Sequence, residues 1–294
     1  MKEATKKAFT RLMEHAARGG GLVGTSTGYD AVDGILGGLH AGDLTIVAAR
    51  PAMGKSALVM GVCGNVVRGP DPEDLTKGKG AMVFSLEMPA EQLAIRALCS
   101  EGAVNLLGTR FGNLSAEDWK RLTQATIGLC SSPHFLLDDG GATTIAEIRA
   151  KSRKAQREMA RVGVELGVIA VDYIQLVNNQ KESREQAISE VSRALKALAK
   201  ELKVPVIGLS QLNRQCESRA DKRPMLADLR ESGAIEQDAD NVIALYRDDY
   251  YNEKSETPGE CEVLVLKQRN GPTGTVSLRF RKESATFCDL GDAR

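Results

Sequence analysis

Ala49-Arg50-Pro51-Ala52-Met53-Gly54-Lys55-Ser56 follows an apolar run and opens a helical pattern. A strand, a glycine-bearing loop and a helix that starts Lys-Ser are what a phosphate cradle requires. Backbone N–H groups surround the anion, the lysine reaches the β and γ oxygens, and the hydroxyl ligates Mg²⁺. Arg50, Pro51, Ala52, Met53, Gly54, Lys55, Ser56 and Ala57 are therefore the expected nucleotide-binding residues, with Ala49 where the strict pattern has glycine. A metal–triphosphate site also needs a carboxylate at a neighbouring strand end. Val168-Ile169-Ala170-Val171-Asp172 supplies one, which makes Ser56 and Asp172 the expected metal ligands.

Hydrolysis needs a group that orients water and accepts its proton. Phe84-Ser85-Leu86-Glu87 ends another apolar run with an acid, so Glu87 is the candidate general base, the alternative being a cap for the helix that starts at Pro89. Val206-Ile207-Gly208-Leu209-Ser210-Gln211 brings an uncharged amide to a third strand end, where Gln211 can sense a γ-phosphate. Lys267 and Arg269 close a late strand two residues apart, hence on one face. Such a pair suits a phosphate contact, and equally suits an edge strand that carries charge to block aggregation.

These residues need a scaffold that brings strand ends together. Short β-branched runs near 44–49, 81–86, 168–172, 204–210 and 241–246 alternate with helical patterns near 56–68, 90–101, 115–130, 144–161 and 184–202. The expected fold is α/β, a mostly parallel central sheet covered by helices on both faces. Strands near 261–267 and 275–280, joined by Asn270-Gly271-Pro272-Thr273-Gly274, add a hairpin at one edge. Segment 69–80 is expected to be a surface loop. Residues 2–17 put Ala4, Ala8, Phe9, Leu12, Met13, Ala16 and Ala17 on one stripe of an N-terminal helix, which Gly19-Gly20-Gly21 ends. A lone helix of this length is marginal in water, so it must pack on its own domain or on a second subunit.

The 294 residues carry 39 Lys plus Arg against 39 Asp plus Glu, so no overall basic excess marks a general polyanion binder and any nucleic-acid contact must be local. No apolar run approaches a membrane span, and no signal-peptide core precedes the first motif, so the expected compartment is the cytoplasm. Six scattered cysteines without a C-x-x-C pair, and three scattered histidines, favour neither a disulfide framework nor a structural zinc.

Together, Gly28-Tyr29-Asp30-Ala31-Val32-Asp33, the phosphate loop, Phe84-Ser85-Leu86-Glu87-Met88, Val171-Asp172-Tyr173-Ile174-Gln175-Leu176, Ser210-Gln211-Leu212-Asn213-Arg214, the run Asp228 to Asp240 and Lys267-Gln268-Arg269-Asn270-Gly271-Pro272 resemble the C-terminal motor of bacterial replicative helicases, the DnaB family. The resemblance runs from about Gly21 to Phe280. It implies a RecA-like P-loop NTPase assembled as a homo-hexameric ring, with ATP and Mg²⁺ between neighbours. It makes Glu87 the catalytic base, Asp172 a Mg²⁺ ligand and Gln211 the γ-phosphate sensor. Lys267 and Arg269 become a finger pair reaching the adjacent subunit's nucleotide, and Arg96 a phosphate contact in cis.

For single-stranded DNA the family points to Arg230, Glu231 and Gly233, which end a stretch from Arg214 holding five cations against three acids; a solvated loop of mixed charge is the bland alternative. Residues 1–18 then stand for the family's linker helix docking on a neighbour, 19–24 for a tether and 25–294 for the motor. The family's helical collar, which helps engage primase, has no counterpart expected in this chain; primase and a helicase loader are the further partners the resemblance suggests. The expected activity is ATP-driven 5′ to 3′ translocation on single-stranded DNA with duplex unwinding. A RecA-like recombinase or signalling ATPase, and a nucleotide-gated scaffold without catalysis, are the rival readings.

Overall fold

Nine strands among the described residues form one sheet in the order β3-β2-β4-β5-β1-β6-β7-β8-β9. They are β1 (Leu44–Ala49), β2 (Gly80–Ser85), β3 (Phe135–Asp138), β4 (Leu166–Asp172), β5 (Val206–Gln211), β6 (Asn241–Tyr246), β7 (Glu260–Gln268), β8 (Gly274–Arg281) and β9 (Thr286–Asp289). The structure is a computed structural model that describes residues 1, 5–6, 9–10, 13, 22–70, 77–130, 134–141, 143–177 and 183–292, with backbone alone at 184 and 230–234. Of the expected N-terminal helix, Thr5, Lys6, Phe9, Thr10 and Met13 are helical and exposed. The rest of 2–17, the glycines at 19–21 and the core of the expected loop at 71–76 lie outside the described residues.

Strands β3, β2, β4, β5, β1 and β6 run parallel, and β7, β8 and β9 are antiparallel additions on one side. The alternation of strand and helix along the chain produces this directly, because a parallel pair needs a crossover and a helix supplies it. Every residue of β1, β2, β4 and β6 is buried, as expected of strands covered on both faces. Side chains alternate between two cores. Val47, Ala49, Val168, Ala170, Ile207 and Leu209 point to one. Leu44, Ile46, Ala48, Ile169, Val171 and Val206 point to the other.

The first core is closed by α1 (Asp30–Leu36) and α2 (Lys55–Arg68); α2 buries Leu58, Val59, Val62, Cys63, Val66 and Val67, a single face at helical spacing. Behind the sheet lie α6 (Ile145–Arg161) and α7 (Arg184–Leu202), the latter through Ile188, Val191, Leu195, Leu198 and Ala199. A capping box starts α6: Glu147 N–H donates to the Thr144 hydroxyl, and Thr144 N–H donates to the Glu147 carboxylate at 2.8 Å. Between β2 and β3 the chain makes an excursion of α3 (Ala90–Glu101), α4 (Leu106–Phe111) and α5 (Ala116–Cys130).

Differences from the sequence-based expectation are local. The strand expected at 204–210 runs from Val206 to Gln211, because Lys203 turns left-handed at φ 56 and leaves Val204 as buried connection. Strand β2 ends at Ser85, one residue before the expected end at 86, so Glu87 lies two residues beyond it. Four short helices, α1, α4, α8 (Gly233–Asp238) and α9 (Asp248–Tyr251), and strands β3 and β9 were not expected. The late hairpin is not the sheet edge, since β9 pairs outside β8. Its Asp289 carboxylate accepts the N–H groups of Asp30 and Ala31 at 2.9 and 3.2 Å, capping α1 across the length of the chain.

Candidate nucleotide site at the carboxyl ends of the strands

Strands β1, β2, β4 and β5 all point the same way, so their last residues share one rim, the crevice where open α/β sheets bind ligands. Register brings Ser85 level with Asp172 and Ala49 level with Gln211. Glu87, Asp172, Gln211 and the loop after Ala49 were read from separate segments of sequence, and the sheet gathers them on this one edge.

The loop leaves β1 at Arg50, turns through Ala52 (φ 66) and Gly54 (φ 98), and enters α2 at Lys55. Gly54 is required twice over. Its φ belongs to the left-handed region, and a Cβ there would sit 2.8 Å from Phe287 Cζ and 3.1 Å from Phe280 Cε2. The two rings, 4.8 Å apart, support the loop from beneath, and the guanidinium of Arg247 lies 4.3 Å from the Phe280 ring centre. Arg247 also donates to Ala52 O at 3.3 Å and pairs with Asp249 at 3.1 Å, both side chains being buried. None of these supports was legible in the sequence, because they lie far along the chain and no motif marks them.

Arg50 does something other than face a ligand. Its guanidinium donates to Leu212 O at 2.8 Å and pairs with Glu217 at 3.1 Å, which ties the start of the loop to the segment after β5. That pairing holds the Glu217 carboxyl below its ordinary range. Arg50 therefore enters the site through its backbone, with its side chain as an anchor. Met53 is buried, Pro51 and Ala52 are exposed, and Gly54, Lys55, Ser56 and Ala57 are half-buried.

Lys55 Nζ lies 4.8 Å from the centre of the Tyr173 ring. Burial pushes its ammonium pKa down, opposed by the charges of Asp172 and Glu87. The three groups thus share one electrostatic neighbourhood, in which an incoming anion would favour the charged lysine further. Asp172 is buried, and its Oδ1 has no hydrogen-bond partner. A buried carboxylate oxygen left bare at a strand end, together with the Ser56 hydroxyl at the start of α2, offers oxygen donors of the kind a hard divalent cation takes. No group of three or more His, Cys, Asp or Glu suited to a metal occurs among the described residues.

Glu87 is exposed at the tip of a turn that Ser85 fixes by accepting Met88 N–H and donating to Met88 O at 2.6 Å. It does not cap the next helix: no side-chain bond caps that terminus at Pro89, and Ala90 N–H is taken by Asp139 at 2.8 Å. Gln211 is exposed at the end of β5. Gln175, on the turn after Asp172, donates to Ser210 Oγ at 2.8 Å and so links the two strand ends. Arg96 is exposed on α3 and joins none of these contacts.

Lys267 and Arg269 stand elsewhere. Lys267 pairs with Val242, which is level with Ile46, and the Arg269 amide donates to Asp240 O, whose own amide bonds to Leu44 at the start of β1. Their side chains share one side, as alternation requires. Lys267 Nζ donates to Ala239 O at 2.8 Å, and Arg269 Nη2 donates to Gln237 O at 2.7 Å. Burial and the charge of Arg269 lower the Lys267 pKa. Arg230, Glu231 and Gly233 fall where a 3₁₀ segment, Leu226–Ser232, meets α8; their side chains lie outside the described residues.

Comparison with known proteins follows the same lines. The family model described as DnaB-like helicase C terminal domain matches residues 24–289. Replicative DNA helicase DnaC of Bacillus subtilis (strain 168) is 44% identical over 293 residues, 99% of this chain and 62% of that protein. Replicative DNA helicase DnaB of Geobacillus stearothermophilus is 47% identical over 277 residues, 93% of this chain and 58% of that protein. The chain thus spans about six tenths of the length of the relatives it matches. Among solved structures, one described as an ATPase domain superposes with a TM-score of 0.89 at 36% identity, covering 97% of this chain and 98% of the other. A DnaB-like replicative helicase described with its primase interactions gives 0.87 at 36% identity, covering 97% and 66%.

Proposed function

The chain belongs to the DnaB-like helicase C-terminal domain family, and from that premise we propose that it is an ATP-hydrolysing motor that moves 5′ to 3′ on single-stranded DNA and separates duplex strands as a ring of six copies. The observation that carries this reading is the opposition of two groups. The phosphate loop lies at the carboxyl ends of the parallel strands and Lys267 and Arg269 lie at their amino ends. From Leu44 to Ala49 the strand covers about 16 Å, beyond the reach of the side chain of Arg269, which follows β7 beside Asp240. One copy cannot place both on one nucleotide; two copies packed edge to edge can.

In this mechanism the loop N–H groups and Lys55 bind the triphosphate, and Ser56 and Asp172 would hold Mg²⁺. When bound, the ion would neutralise triphosphate charge. Glu87 orients a water and takes its proton as the water oxygen bonds to the γ-phosphorus and the bond to the ADP oxygen breaks. Gln211 senses the γ-phosphate. Arg269 and Lys267 of the adjacent copy stabilise the charge of the transition state, a contribution worth ~10³–10⁵ in rate for an arginine supplied in trans.

Arg230, Glu231 and Gly233 are the proposed contacts to the DNA backbone, 1–18 the docking helix, 19–24 its tether and 25–294 the motor. Primase and a loader are the proposed further partners, and the cytoplasm the compartment; no described helix is long and apolar enough to cross a membrane.

The deciding experiment supplies the full chain with ATP, Mg²⁺ and a forked duplex, with its mass in solution followed in parallel. Strand separation by a six-copy species is the expected result. Strand exchange on homologous DNA without unwinding would replace the motor by a recombinase. Turnover at background with single-stranded DNA present would leave a scaffold.

A further inference from the structure

Three parts of the chain that the sequence separates meet at the Asp240 carboxylate. Asp240 sits just before β6 with its side chain 5% exposed. Its Oδ2 accepts the Leu44 N–H at 2.8 Å, at the start of the strand that ends in the phosphate loop, and also the ammonium of Lys196 on α7. Its Oδ1 faces Nη1 of Arg269 at 3.5 Å. The main chain repeats the pattern: Asp240 N–H donates to Leu44 O, and Arg269 N–H donates to Asp240 O, both at 2.9 Å.

A carboxylate present only to staple β1 to α7 would be satisfied on one oxygen, because Leu44 and Lys196 both use Oδ2. The second oxygen is turned to Arg269. Asp43 shares Lys196 at 3.4 Å, and Gly42 O accepts from the same ammonium at 2.8 Å, so the lysine is held from three sides and fixes Asp240 in turn. Arg269 is half-exposed. Asp240 engages one terminal nitrogen of its guanidinium and Gln237 O engages the other, which sets the plane and direction of the fork and leaves its remaining donors for an anion outside the chain.

We propose that Asp240, buttressed by Lys196, is a positioning residue that aims Arg269 at the nucleotide of the neighbouring copy. This inference rests on the trans-acting finger proposed above. Asp240 touches no substrate; it acts through the arginine. Because an error of ~1 Å in such a group can cost ~10²-fold, neutralising Asp240 should lower kcat by about 10- to 100-fold while the KM for ATP moves less than about threefold. A purely architectural role for Asp240 would act on the copy's own loop through Leu44 and would shift both constants.

Complementation in mixed assemblies of the full chain separates these outcomes. Lys55→Ala subunits keep an intact finger, and Asp240→Asn subunits keep an intact phosphate loop, so mixing them should regain turnover at hybrid seams, as mixing Lys55→Ala with Arg269→Ala should. The paired variant Lys196→Gln/Asp240→Asn removes both buried charges together and carries the same test if the single change fails to fold. Recovery with Arg269→Ala but not with either Asp240 variant overturns the proposal alone. No recovery in any mixture overturns the trans finger and the proposal with it. Wild-type kcat for folded Asp240→Asn also overturns the proposal.

Discussion

Lys55 and Arg269 are anchored at opposite ends of the same sheet: Lys55 opens the helix that follows the last residue of β1, whereas the Arg269 amide bonds to Asp240, whose own amide bonds to Leu44 at the first. The separation makes the two residues' contributions to nucleotide binding unequal in a single copy. Lys55→Ala should abolish triphosphate binding to the dilute, unassembled chain. Arg269→Ala should leave that binding within about twofold and lower assembled turnover by ~10³ or more. Fluorescent-nucleotide titration and steady-state ATPase assays read the two quantities. Loss of binding in dilute Arg269→Ala would place the arginine in its own copy's site and sink the division of labour.

Gly54 is held against Phe287, and the contact gives a prediction of definite sign. Gly54→Ala adds a methyl 2.8 Å from the Phe287 ring at a φ of 98. The expected cost is about 1–3 kcal/mol, with nucleotide affinity reduced at least about tenfold as the loop shifts. Gly64 on the same helix has open space around it, so Gly64→Ala should instead stabilise by about 0.5–1 kcal/mol. Thermal melts of the two variants should move in opposite directions. A neutral Gly54→Ala would mean that the aromatic floor yields.

Much of this site was legible in the residues because its chemistry is written in short segments. A strand that ends in Asp172 and a loop that ends in Gly54-Lys55-Ser56 each carry their own periodicity, and parallel pairing does the rest by aligning strand ends. What was not legible depends on partners far along the chain. Phe287 under Gly54, Asp289 on α1, and Arg50 turned back to Glu217 leave no local signature, since a ring or a carboxylate reads the same in sequence whether it props a loop or faces solvent. The short helices escaped for another reason: α4 and α8 each have six residues, too few to show a period. Glu87 was ambiguous between base and cap in the sequence, and the Asp139 carboxylate that takes the Ala90 N–H removes the cap reading.

The proposed DNA contact predicts a salt signature rather than a sequence preference. With the whole chain at zero net charge, binding must come from local cations. Arg230→Ala should weaken single-stranded DNA binding for every sequence tested and reduce the slope of log affinity against log salt by about one counterion for each phosphate no longer neutralised. Arg223 is the control, since its guanidinium is already paired with Glu262 at 2.6 Å and lies over the Tyr246 ring; Arg223→Ala should leave the slope unchanged. An unchanged slope in Arg230→Ala would remove that residue from the interface.

Two thiols give the fold a pH signature of known sign. Burial pushes Cys63 and Cys261 each up to about 12, from an ordinary 9.0. The folded chain keeps both protons where the unfolded chain loses them, so their contribution is complete below pH 9 and declines as pH rises toward 12, by about 1.4 kcal/mol per pH unit for each thiol. Lys55 works in the opposite direction, because its lowered pKa makes the empty site more tolerable as pH climbs toward 10.5. Comparing wild type with Cys63→Ala/Cys261→Ala cancels every group the two share. The double variant should therefore lose stability less steeply above pH 9, by up to about 2.7 kcal/mol per pH unit. Denaturant titrations at pH 8, 9.5 and 10.5 measure the difference, and alkylation supplies an independent check: exposed Cys130 should react at once at neutral pH, and Cys63 only on unfolding. Parallel pH profiles for the two proteins would mean that both thiols ionise inside the fold, and the packing of Cys63 between α2 and the sheet would have to be looser than its complete burial implies.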